Sequence, residues 1–145
     1  MIQRIQTIFL LLASAAAFGA LAFPFASHPE QIAGTVFADS VYNATDRISL
    51  LILLALTGIL AFASILLFKN RRLQMRMTII AFFVNLLAII IGVVVFIQDS
   101  PKVDNDVLSV GLGLFLPVIT FFFTLLAYRF IHLDEKKVRS MDRLR

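Results

Sequence analysis

The chain has no cysteine, which excludes disulfides, thiolate metal sites and cysteine nucleophiles. Its two histidines, His28 and His132, are far apart in the sequence, so a histidine-based metal site is not expected either. Charge is scarce as well. Only 15% of the 145 residues are Asp, Glu, Lys or Arg, against 60% hydrophobic residues that include fifteen phenylalanines. A soluble domain of this size carries about a quarter charged residues. The composition is that of an integral membrane protein.

What is present is length of apolar run. A helix crossing a hydrocarbon core of about 30 Å needs about 20 consecutive apolar residues. Residues 5–26, 48–68, 77–97 and 107–131 meet that requirement, and no charge interrupts the first three. The fourth contains Arg129, close enough to its end to reach the interface. These runs lack the alternation of a spanning barrel strand. Arg4 ahead of the first run, with Ala20-Leu21-Ala22 behind it, also has the layout of a cleavable signal peptide. The apolar character continues through Phe23 and Phe25, so the segment is read as a retained helix. The expected fold is an all-α, four-helix, up-down bundle in the membrane with short loops. Residues 1–131 form the spans, and residues 132–145 form a charged amphipathic tail.

Orientation follows from the basic residues. Of the thirteen Lys and Arg, all but Arg47 and Lys102 fall on one side: Arg4, the connection "KNRRLQMR" and the stretch from Arg129 to Arg145. Both termini are therefore expected in the cytoplasm, and the basic balance is a topology signal. No nucleic-acid partner is expected, because neither interleaved stacking aromatics nor a recognisable binding fold accompanies the charge. On the outer side, "QIAGTVFADSVYN" has the composition of a short strand pair or irregular cap. "NATD", from Asn43 to Asp46, reads as the start of the second helix with Asn43 or Thr45 as its cap. The same residues have glycosylation-acceptor spacing, but the helix-start reading is preferred. "QDSPKVDND" reads as a solvated turn rather than a calcium site.

Inside the spans the polar side chains are Ser14, Thr57, Ser64, Thr78, Asn85, Thr120 and Thr124. No Asp, Glu, Lys or His is available there to relay protons. Hydroxyls can bond within their own helix. Asn85 cannot do so as easily, and it is expected to bond to a neighbouring helix. Ala15, Gly19 and Ala22, and Gly58 with Ala61, have the spacing of close-packing faces. Gly111, Gly113 and Pro117 are expected in one helix, which the proline should kink near Gly113. Phe121, Phe122 and Phe123 are expected to face lipid or a partner.

In the tail, Leu133, Val138, Met141 and Leu144 fall along one side of a helical wheel, and Glu135 stands four before Arg139. The tail is expected to be a helix continuing or bending from the fourth span. It would lie on anionic headgroups or dock a protein partner.

Both ends also carry a resemblance. "MIQRIQTIFLLLA" (Met1 to Ala13) and "LAYRFIHLDEKKVRSMDRLR" (Leu126 to Arg145) resemble the opening and closing signatures of an uncharacterised bacterial family of small four-span inner-membrane proteins. Tyr128, Leu133 and Met141 depart from its closing pattern. The resemblance implies fold, topology and an inner-membrane location, with no activity. Its motif positions here are Arg4, Gln6, Arg129, Asp134, Glu135, Val138, Arg139, Ser140, Asp142 and Arg143.

No paired carboxylates, nucleophile-base pair or metal ligands occur at usable spacing, so neither an enzyme nor a cofactor is expected. The leading expectation is an accessory or scaffold subunit of a larger membrane complex. Its partner-docking residues would be Arg4, Arg71, Arg72, Arg129, Asp134, Glu135, Arg139, Asp142 and Arg143. The alternative is a small transporter or channel for an uncharged solute or lipid, with a path past Asn85, Thr120 and the Pro117 kink.

Overall fold

A computed structural model describes residues 2–99 and 107–142, with side chains described for 5–98, 107–136 and 138. Four helices carry the fold: α1 (Ile2–Ala22), α2 (Ile48–Leu66), α3 (Arg71–Asp99) and α4 (Phe115–Asp142). α1 and α3 each pack against both α2 and α4, closing a four-membered ring. Only residues 67–70 separate α2 from α3, and a connection that short forces antiparallel neighbours. Each helix contains a stretch long and apolar enough to cross a membrane, which suggests a multi-pass membrane protein.

The helices bury an unusual face. α1 turns Gln6, Leu10, Ala13, Ala17 and Ala20 inward, and α3 turns Gln74, Thr78, Ala81, Asn85 and Ala88 inward. α4 buries Pro117, Thr120, Thr124, Ala127, Ile131 and Asp134. All three follow alternating steps of four and three residues, the spacing that keeps one seam of a helix against its neighbours. Large apolar residues such as Ile8, Leu11, Ile59, Phe62, Phe83 and Ile90 point outward. Small and polar inside with bulky apolar outside is the reverse of a soluble bundle. It suits helices whose association depends on close backbone approach and hydrogen bonds.

At the end away from the termini, the connections build a cap. β1 (Ala26–Ser27) lies between β2 (Val41–Tyr42) and β3 (Ser109–Val110), antiparallel to both. Phe25 and Tyr42 meet edge to face at 5.2 Å, and Phe37 and Tyr42 at 6.2 Å. Gly34, at φ 79°, uses the left-handed region that glycine enters without a Cβ penalty. Ser40, at φ 68°, occupies the same region just ahead of β2.

Several sequence expectations are redrawn here. The fourth helix begins at Phe115 and not near Val107, because Gly111 and Gly113 belong to the cap. Their N–H groups donate to Phe25 O and Pro24 O, both at 2.9 Å. A Cβ on Gly111 would collide with the Pro24 carbonyl, and one on Gly113 with the Phe23 carbonyl. Pro117 consequently sits in the first turn of α4, where a missing N–H leaves no intrahelical bond unmade. It starts the helix instead of kinking it. Asn43 caps a separate 3-10 turn, Ala44–Asp46, and Arg47 precedes α2. "KNRRLQMR" is mostly the first turns of α3, and the tail continues α4 without a break as far as Asp142.

The small-residue face of α1 is displaced as well. Ala15 and Ala22 are exposed, while Ala13, Ala17 and Ala20 are buried. Gly58 does pack closely, against the Phe18 ring. In the triple phenylalanine, only Phe122 points fully outward, at 57% exposure. Phe121 meets Phe82 of α3 at 4.7 Å, and Phe123 meets Phe9 of α1 at 6.0 Å. Successive helical residues are about 100° apart, so Phe121 and Phe123 lie on nearly opposite sides of α4 and each reaches a different neighbour.

Candidate functional site

Three interior levels hold the groups able to do chemistry or bind. At the termini end, the antiparallel run of α3 and α4 sets Arg71 and Arg72 beside Asp134 and Glu135. Arg71 Nη1 lies 3.0 Å from Asp134 Oδ2, with the two side chains 23% and 12% exposed. Arg72 Nε lies 3.9 Å from Glu135 Oε1, but Arg72 is 73% exposed. The first pair is the structural one, since an exposed long pair contributes little.

Behind the Arg71–Asp134 pair, Gln6 and Gln74 are fully buried. Gln6 is one turn below Leu10 and Asp134 one turn below Ile131. Leu10 and Ile131 belong to one cluster with Met75, the neighbour of Gln74. Asp134 pairs with Arg71, one turn before Gln74, so both glutamines and Asp134 lie within about a turn of that cluster at the termini end. Gln6 Oε1 and both amide atoms of Gln74 have no hydrogen-bond partner among the described residues. Buried amides in this state are held by ordered water or by another polar group.

The middle level is closed. Asn85 Nδ2 donates to the Pro117 carbonyl at 2.9 Å. Ser14 donates to Gly58 O at 3.2 Å, joining α1 to α2. Thr57, Ser64, Thr78 and Thr124 return their hydroxyls to the carbonyl four residues back in their own helices. Thr120 does the same toward Leu116 at 2.9 Å and also reaches Ala13 O at 3.4 Å. All of these side chains are at most 3% exposed. Asn85 Oδ1 alone among these side-chain oxygens has no partner.

At the cap end, α2, α3 and α4 part around an apolar cavity of about 410 Å³. Leu50 and Leu54 of α2 form its back, Ala88, Gly92 and Phe96 one wall, and Pro117 and Val118 the other. Phe25, Tyr42 and Val110 roof it from the cap. The one hydroxyl in the lining, on Tyr42, donates to Gly92 O at 3.3 Å.

In the cap itself, Asp46 Oδ2 accepts the Asn43 N–H at 2.6 Å. Burial raises the Asp46 carboxyl above its ordinary value, against the lowering effect of that hydrogen bond. No group of three or more His, Asp or Glu that could hold a metal occurs among the described residues.

A family model for a domain of unknown function, DUF4293, matches residues 2–144. The chain belongs to the DUF4293 family. No curated protein and no solved structure matches it. Membership covers nearly the whole DUF4293 chain and agrees with the resemblance read from its two ends, and it brings no activity with it.

Of the residues expected to dock a partner, the structure brings Arg71, Arg72, Asp134 and Glu135 of this DUF4293 chain together, facing each other. Arg129 is exposed on α4. The side chains of Arg4, Arg139 and Asp142, and all of Arg143, lie outside the described residues. Gln74 and the cavity were missed from the sequence, and Gln6 was noticed only as a motif position. The available signal was the four-three spacing of Gln74, Thr78, Ala81, Asn85 and Ala88 in an otherwise bulky apolar helix.

Proposed function

We propose that the protein is a non-enzymatic accessory or scaffold subunit of a larger complex in the bacterial inner membrane, with both termini in the cytoplasm and its docking face at the termini end. The Arg71–Asp134 pair carries this reading. It ties the start of α3 to the extension of α4, so Arg71 and Arg72 and the α4 extension as far as Asp142 make one ledge. α4 runs eleven residues beyond Ile131, about 16 Å at the helical rise. A helix held at its base and extended past the apolar region presents a defined surface. The exposed Arg72, Arg76, Arg129 and Lys136 keep it near anionic headgroups.

A transporter would need a hydrated route past Asn85. The buried, internally bonded hydroxyls of the middle level favour the scaffold.

The test uses the full chain tagged in the outer loop, extracted from native membranes in mild detergent, beside a chain ending at Leu133. Stoichiometric companions that disappear with the shortened chain support the docking role. Equal migration of both as free monomers on native gels, with equal insertion, would sink it.

A further inference from the structure

We propose that the cap-side cavity binds one acyl chain of a bilayer phospholipid. This inference is independent of the docking reading, since it concerns the opposite end of the bundle.

The space is built. Gly92 and Ala88 keep one wall of the cavity free of bulk, and a Cβ on Gly92 would meet only Leu50, at an ordinary 3.6 Å. The helix itself does not require glycine there, so the small side chain leaves room rather than avoiding a clash. The roof is fixed by backbone hydrogen bonds from Gly111 and Gly113 to Phe25 and Pro24, so the cap cannot simply settle into the void. A cavity of about 410 Å³ lies within the range of ligand sites, roughly 300–1,000 Å³.

The lining selects the occupant. It contains no charged side chain, and its one hydroxyl is engaged with Gly92 O. Water gains no partners in such a place, and apolar cavities stay dry. A fatty-acid carboxylate would find no cation in the lining, so the polar end of the ligand has to remain outside. Around the edge, Val93, Leu114 and Val118 are 51%, 48% and 44% exposed. The opening thus lies between α3 and α4 on the apolar outer surface, where the surrounding medium is hydrocarbon. From Ala88 to Phe96 the wall extends about 12 Å along the helix axis. A chain lying parallel to α3 fits this slot, with its headgroup at the level of the cap.

The chain has no tryptophan, so a single introduced indole reports on its own position. Phe96→Trp places it in the cavity, and Phe83→Trp, at a site 59% exposed on α3, reports ordinary lipid contact. Both full-length proteins are reconstituted with phosphatidylcholine brominated along one acyl chain, mixed into unbrominated lipid at increasing mole fraction. The expected result is half-maximal quenching at a several-fold lower mole fraction for the cavity site than for the outer site. Filling the slot with Gly92→Leu or Ala88→Leu should abolish that preference and leave the outer site unchanged.

Equal half-quenching fractions at the two sites, or a cavity indole that bromine never quenches, would overturn the proposal. The second result would mean an empty slot or one closed by protein. Displacement of the brominated phospholipid by equimolar oleate would overturn its assignment to a bilayer lipid. Should both filling variants lose helicity, the comparison of the two indoles in the otherwise unaltered chain still decides.

Discussion

The two ends of the bundle are closed by opposite means. At the termini end, the interior is polar, with Gln6 of α1 and Gln74 of α3 buried there, and the charged Arg71–Asp134 pair holds α3 to α4. At the cap end, the interior is an apolar cavity, and backbone hydrogen bonds between short strands hold the roof. A side-chain lock depends on charge and tolerates exchange of partners. A backbone lock depends on close approach and tolerates no added volume.

That contrast sets the size of the effects. Gly113→Leu should be the most damaging change, because its side chain would occupy the space of the Phe23 and Pro24 carbonyls. Overpacking of this kind costs about 3 kcal/mol, and thermal unfolding in detergent should show the loss while Gly92→Ala stays near wild type. At the other end, Asp134→Ala leaves Arg71 without its carboxylate. The side chains are partly exposed, so the loss should be about 1–2 kcal/mol, between the surface and buried limits. Combining Arg71→Asp with Asp134→Arg should recover most of it. If the swap recovers nothing, the lock is one of shape and the contrast between the ends fails.

The smallest effect concerns pH. Because burial raises the Asp46 carboxyl above its ordinary 3.8, the folded state binds that proton more tightly than the unfolded chain does. Its contribution to stability is present below the ordinary value and is lost as pH rises through the raised one. A melting series across that interval should decline for the native chain and be flatter for Asp46→Asn. An identical slope in both proteins would remove Asp46 as the cause.

Much of this architecture was legible in the residues. Four long apolar runs give four helices, and the back-bonded threonines behave as hydroxyls in a helix must when water is absent. The placement of Asn85 against α4 follows from an amide's need for an external partner. The interior was harder to see, because counting apolar residues identifies the outward surface of such a bundle. Its inward surface is marked by residues that are merely small or mildly polar, and Ala15 and Ala22 look like Ala13 and Ala17 until the seam is traced from Gln6. Gly111 and Gly113 were misplaced for a related reason. Their apolar neighbours extend the fourth run, while their purpose, contact with Pro24, depends on a segment nearly ninety residues earlier in the chain.

The strand order of the cap also bears on biogenesis. β1 follows the first helix in the chain and β2 follows soon after, but β3 is made only once α3 is complete. During synthesis, the open edge of β1 must therefore wait for a strand that emerges after the third helix. A chain halted before Ser109 would leave that edge of β1 unpaired. Closure of this edge would be the event that distinguishes a finished molecule from a nascent one.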